Sequence, residues 1–234
     1  MLTESVLGAA ADAGRFQALF DAVDLLGVLA NGVLGAAVAR ALRMDLVAFV
    51  TLGIISGLGG GLIRDTLLQV PPVALAEPAY LGTALAGALI GYLVPFDGRW
   101  SNRVLVVADA LALGCWSAIG TLKAVHLGLA PIPAVLIGLI TAVGGGMVRD
   151  VLVGRVPAVF GGNTLYAVPA VTGSIVMVVG ATIEQEAIAF AVAILVTAGF
   201  ALLARSRGWQ LPGEAPRLAL PRVPRRRNRR DDQA

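Results

Sequence analysis

Gly59-Gly60-Gly61-Leu62-Ile63-Arg64-Asp65 returns 85 positions later as Gly144-Gly145-Gly146-Met147-Val148-Arg149-Asp150. At that fixed offset the match runs outward without a gap. Asp24 falls on Asp109, Gly35 on Gly120, Gly53 on Gly138 and Pro72 on Pro157. Fifteen of the 52 positions in 24–75 are identical to their partners in 109–160, which identifies a duplicated unit. One residue is inserted past the proline, after which Tyr80 meets Tyr166 and Gly87 meets Gly173.

The solvent of this unit is lipid. Charged residues are 14% and hydrophobic ones 57% of 234 residues, with a mean hydropathy of +0.83, whereas soluble chains carry roughly 25% charged residues. Seven stretches approach the ~20 apolar residues that a transmembrane helix needs: 22–39, 46–68, 79–95, 104–124, 133–153, 164–182 and 187–204. The expected fold is therefore an all-α membrane protein of seven transmembrane helices. Its parts are an N-terminal segment 1–20, a three-helix repeat 21–103, a second repeat 104–183, a seventh helix 184–204 and a disordered basic tail 205–234. Residues 1–20 hold Glu4, Asp12 and Arg15 and do not read as a cleaved signal peptide.

Basic residues gather on the cytoplasmic side of membrane proteins. Arg40, Arg43, Arg99, Arg103, Arg155, Arg205 and Arg207 all follow odd-numbered spans, while the opposite side holds Arg15, Lys123 at a helix end, and the acidic Glu77, Glu184 and Glu186. The N-terminus is expected outside and the C-terminus in the cytoplasm. Because each repeat has three helices, an odd number, the second copy enters the membrane inverted, an arrangement typical of transport proteins. The arginine-rich tail, with Arg225-Arg226-Arg227-Asn228-Arg229-Arg230, lacks the apolar surface to fold. Following a membrane helix, it is expected to meet anionic lipid headgroups rather than nucleic acid.

Three adjacent glycines in a span allow two readings. They let helix backbones approach closely, or they break the helix, since each weakens it by about 1 kcal/mol relative to alanine. Adjacent positions point about 100° apart, so packing alone rarely needs them in a row. The second and fifth spans are thus expected to be broken, at Gly59, Gly60 and Gly61 and at Gly144, Gly145 and Gly146. The freed carbonyls would face protein or a water-filled cavity.

Arg64, Asp65, Arg149 and Asp150 sit just past these points. Ionisable groups in membrane segments are costly and tend to pair within the bundle. They read either as clamps, the arginines on freed carbonyls and the aspartates capping a helix end, or as charges at two pore mouths. Asp24 and Asp109, at the starts of the first and fourth spans, suit helix caps or dipole partners, with cation attraction as the other reading. Lys123 has Val38 as its counterpart. It snorkels to headgroups or serves as a plug or voltage-sensitive gate. His126 is the only histidine and Cys115 the only cysteine; they read as a solvated loop residue and a packing residue. No metal-ligand cluster, nucleophile elbow or phosphate loop is present, so an enzyme is not expected.

The doubled Gly-Gly-Gly-x-x-Arg-Asp, each copy followed by a proline, in a 3+3+1 chain resembles the prokaryotic branch of the trimeric intracellular cation (TRIC) channel family. The same membrane domain is also labelled a glycine transporter in bacterial sequences. The resemblance covers about 20–204. It implies a homotrimer in a prokaryotic inner membrane, with a potassium-conducting pore in each protomer lined by kinked second and fifth spans. No cofactor is implied beyond permeant K+ and Na+. Exposed carbonyls with Ser56, Thr141, Ser117 and Thr121 would partly replace cation hydration, while Asp65 and Asp150 would raise local cation density. A secondary transporter of a small zwitterion such as glycine is the alternative, because inverted repeats with broken helices also suit alternating access. A lipid-binding or purely structural membrane protein remains if the glycines only pack.

Overall fold

A computed structural model describes residues 2–95, 98–160 and 165–211. Among them are eight helices: α1 (Leu2–Ala41), α2 (Leu46–Leu67), α3 (Val73–Ala76), α4 (Pro78–Leu93), α5 (Arg99–His126), α6 (Pro131–Leu152), α7 (Ala167–Thr182) and α8 (Glu186–Arg207). Asp45 caps α2 by accepting the Ala48 N–H at 3.0 Å. Proline opens α4 and α6, where a missing N–H costs nothing. Gly208 closes α8 in the left-handed conformation, φ 64°.

Against the seven spans expected, five helical segments are long and apolar enough to cross a membrane: Phe20–Ala41 within α1, and α2, α5, α6 and α8. The apolar α4 and α7 have 16 residues each, about 24 Å at 1.5 Å per residue, short of the ~30 Å hydrocarbon core. The four-residue α3 went unread in the sequence. Helix α1 runs from Leu2 through the expected N-terminal segment into the first span. The arginine-rich run 225–230 lies outside the described residues.

The expected break is absent. Both α2 and α6 continue as α-helix through their glycine triplets. The magnitudes explain this. Three glycines cost about 3 kcal/mol relative to alanine, while each backbone group left unpaired in lipid costs several kcal/mol. Keeping the hydrogen bonds wins, and no carbonyls are freed.

The two repeats pack alike. In the first, α1 contacts α2 and α4; in the second, α5 contacts α6 and α7. A seam of α2 on α6 joins the halves, and α8 lies on α5 and α7. The contacts are close because the faces are small. A Cβ on Gly35 would stand 2.3 Å from the Leu52 carbonyl oxygen, and one on its copy Gly120 would stand 2.3 Å from Thr141 Oγ1. The core gathers around α5, where Leu113, Trp116 and Ile119 join Met177 and Phe190. Arg40 donates to the carbonyls of Gly91 at 2.8 Å and Tyr92 at 2.5 Å, satisfying the end of α4.

Candidate functional site

The repeats meet where the glycine triplets cross. A Cβ on Gly60 would lie 2.1 Å from the Thr141 carbonyl oxygen, and one on Gly145 would lie 2.5 Å from that of Ser56. Adding 85 to the first glycine and subtracting it from the threonine turns one contact into the other. In the same exchange a Cβ on Gly59 would lie 3.1 Å from the Gly145 Cα, and one on Gly144 3.2 Å from the Gly60 Cα. Contacts that survive this exchange are those of a two-fold interface, so a local pseudo-two-fold axis passes between α2 and α6. At it, backbone touches backbone over a wide arc of each helix, and two adjacent glycines are needed on both. The third serves differently: a Cβ on Gly61 would meet nothing nearer than the Arg64 guanidinium at 3.8 Å, and one on Gly146 that of Arg149 at 3.6 Å.

Cavities flank the crossing. The first, about 30 Å³, is lined by Asp24, Gly61, Arg64, Asp65, Tyr80 and Trp116, together with Thr141 of the crossing. The second, about 410 Å³, is lined by Asp109, Gly146, Arg149, Asp150, Tyr166 and Asn31, with Arg155 and Arg205 as additions. Each of the six matched positions in one is the repeat equivalent of one in the other. The site is therefore one design used twice, once on each side of the crossing.

The arginine–aspartate pairs form from adjacent residues on one helix. Arg64 grips Asp65 with two bonds, Nε–Oδ1 2.7 Å and NH2–Oδ2 3.0 Å. Lys123 Nζ adds a third at 2.8 Å, and Asp65 Oδ2 also accepts the Val73 N–H at 3.0 Å, starting α3 just after Pro72. In the second copy Arg149 holds Asp150 at 2.8–2.9 Å, and Asp150 accepts the Ala158 N–H at 3.0 Å, just after Pro157. Arg149 NH1 also donates to Ser56 Oγ at 3.1 Å. The arginines thus bind carboxylates and a hydroxyl, not freed carbonyls. With Val38 opposite, Asp150 has no lysine. Pairing matters at this burial: side chains of Arg64 and Asp65 are 7% and 1% exposed, and a buried charge without a partner costs several kcal/mol.

Asp24 and Asp109 are not helix caps, because they lie well inside α1 and α5, helices that begin earlier than the apolar spans do. Asp24 accepts from Tyr80 Oη at 2.7 Å and from Trp116 Nε1 at 2.8 Å. Asp109 accepts from Tyr166 Oη at 3.0 Å. Of the four expected polar groups, Ser56 and Thr141 sit at the crossing. Ser117 and Thr121 line neither cavity; their hydroxyls bond carbonyls of α5 at 2.9 and 2.7 Å, and they pack where Gly138 passes. His126 is not merely solvated, since Nε2 meets Glu186 Oε1 at 2.8 Å and ties α5 to α8. Tyr80, Tyr166, Trp116, Asn31, Arg155 and Arg205 belong to the site without having been singled out. The tyrosines had a signal, since they match across the inserted residue. Among the described residues no three His, Cys, Asp or Glu side chains gather as a metal site.

The chain matches the family described as "Glycine transporter" in two segments, 21–95 and 106–182, one in each repeat. It is 38% identical over 154 residues to a UPF0126 membrane protein of Deinococcus radiodurans, covering 65% of this chain and 72% of that protein. Among solved structures it is similar to one from a study of conductance through TRIC cation channels, with 34% identity and a TM-score of 0.77, over 86% of this chain and 99% of the other. A TRIC trimeric intracellular cation channel orthologue from Rhodobacter sphaeroides aligns with 28% identity and a TM-score of 0.75, over 82% and 99%.

Proposed function

The chain belongs to the membrane-protein family described as glycine transporter, whose fold is that of TRIC channels, and from that premise we propose that it is a cation channel with one pathway through each protomer. Fold and family are those of channels rather than enzymes. The observation that carries the reading is the pair of equivalent charged vestibules on opposite sides of the α2–α6 crossing.

At the crossing the Ser56 and Thr141 carbonyl oxygens point across at glycines. In the described state the helices touch there and the path is shut. A separation of the helices by an ångström or two would bring those oxygens and the Ser56 hydroxyl to face water, while the Thr141 hydroxyl stays on the Ile137 carbonyl and against Gly120 of α5. The exposed oxygens would then stand in for part of a cation's hydration shell. The polar groups come from intact helices, which replaces the pore of broken helices as the mechanism. Asp65 and Asp150 offset the neighbouring arginines, so that vestibules holding guanidinium groups still admit cations. Lys123, bound to Asp65, is the proposed gate at the first vestibule, since releasing it removes one of the two cations held on that carboxylate.

Continuity of α2 and α6 weighs against the zwitterion carrier, which would hold a substrate carboxylate on the N-termini of half-helices. The loop charges support an outside position for the first vestibule and a cytoplasmic one for the second. The trimeric character named for the Rhodobacter protein supports a homotrimer, and potassium is the proposed principal ion. Purified protein in planar bilayers under a tenfold KCl gradient tests the function. Unitary currents reversing near the potassium equilibrium potential are expected. Saturable uptake of labelled glycine without unitary currents would reject the channel.

A further inference from the structure

The two vestibules share their aspartates, arginines and tyrosines, yet one holds about 30 Å³ and the other about 410 Å³. Several equivalent positions differ in kind, and two of them bear on closure of the first vestibule. Lys123 stands opposite Val38, and Trp116 stands opposite Asn31. The indole of Trp116 crosses from α5 to α1: its Cε2 and Cζ2 lie 3.4 Å from where a Cβ on Gly27 would be, and its Nε1 donates to Asp24 at 2.8 Å. The residue is only 8% exposed. In the other vestibule Asn31 turns back to its own helix, with Nδ2 3.4 Å from the Gly27 carbonyl oxygen, and among the described residues Asp109 accepts a hydrogen bond from Tyr166 alone.

We propose that Trp116 is the plug that closes the first vestibule, held on Asp24, and that conduction requires the indole to leave that seat. The proposal rests on the channel reading above and adds a second closure in series with Lys123 and Asp65. A large rigid ring with one N–H suits the task, because its area excludes water while its edge is fixed by a single hydrogen bond. Hydrophobic constrictions gate pores by dewetting in this way. The ring packs against α1 at Gly27, within van der Waals reach of where a Cβ would stand. The bond to Asp24 ties the plug to the carboxylate that Tyr80 also holds.

Exchange of the two residues tests this. Trp116→Asn, which copies the open vestibule, is expected to raise open probability in symmetrical KCl by tenfold or more. Trp116→Phe keeps the ring and loses one hydrogen bond to a carboxylate, and it is expected to raise open probability by less than Trp116→Asn does. Asn31→Trp, which puts a ring against Ala112 in the second vestibule, is expected to cut the current severalfold. A readout independent of current is the rate at which a membrane-impermeant maleimide labels Thr141→Cys in a Cys115→Ser background. Trp116→Asn should speed it at least tenfold. Unchanged labelling, or unchanged open probability in correctly assembled Trp116→Asn protein, would overturn the plug. Faster labelling with no current in any variant would leave Trp116 as the occluding ring and defeat the channel reading instead.

Discussion

Gly60→Ala and Gly61→Ala are adjacent, chemically identical substitutions that should act in opposite directions. At position 60 the new methyl would stand 2.1 Å from the Thr141 carbonyl oxygen, where an ordinary contact is no closer than about 3.4 Å. Backbone is on the other side, so no side chain can turn away, and α2 and α6 must part by about 1.3 Å. Forced overpacking of this kind costs roughly 1–3 kcal/mol, and alanine returns about 1 kcal/mol of helix propensity. At position 61 the methyl meets only the far end of the Arg64 side chain at 3.8 Å, so the propensity gain stands alone. The assay is thermal unfolding of purified protein in detergent, followed by loss of the gel-filtration peak. Gly60→Ala and Gly145→Ala should lower the midpoint by several degrees, at about 2–4 °C per kcal/mol for a chain of this size. Gly61→Ala and Gly146→Ala should leave it unchanged or raise it. Equal harm at all four positions would refute the crossing and restore a backbone that needs three flexible residues.

Substitutions at five charged residues read the electrostatics. Asp65→Asn should destabilise more than Asp150→Asn, about 3–5 kcal/mol against about 1–3 by the same thermal assay, because Asp65 faces two cations at 1% exposure and Asp150 faces one at 10%. Lys123→Gln should raise open probability severalfold in bilayer recordings by leaving Asp65 with Arg64 as its one cation; an unaltered open probability would remove Lys123 from gating. Arg155→Gln with Arg205→Gln should increase potassium current about two- to threefold at 0.1 M salt and hardly at all at 1 M. These guanidinium groups take no part in an ion pair among the described residues, and their field is screened within about 10 Å and 3 Å respectively.

The duplication was open to reading because it is a matter of identity at fixed spacing, and it located the glycines, the Arg-Asp pairs and the matched aspartates. What those residues do depends on partners that only the fold supplies. Asp24 read as a cap because the apolar span starts beside it. Yet α1 extends back to Leu2, and the true partners lie 56 and 92 positions away in Tyr80 and Trp116. The triplets read as breaks because a single packing face rarely uses adjacent positions. A crossing on a pseudo-two-fold axis is the exception, since there two backbones touch over an arc wide enough to include both. Ser117 and Thr121 read as pore groups from their polarity, but a membrane helix can absorb a hydroxyl on its own carbonyl three or four residues back. The Trp116 and Asn31 difference was visible in the alignment, but its meaning needed the two cavity volumes.

Whether ions pass the crossing itself can be asked of one atom. Ser56 Oγ lies at the crossing within 3.1 Å of Arg149 in the second vestibule, so a Ser56→Cys thiol in a Cys115→Ser background should be reached from that side by a charged thiosulfonate. The account predicts that modification abolishes single-channel current and that a reducing agent restores it. Undiminished current through protein shown by mass to be fully modified at position 56 would place the path elsewhere.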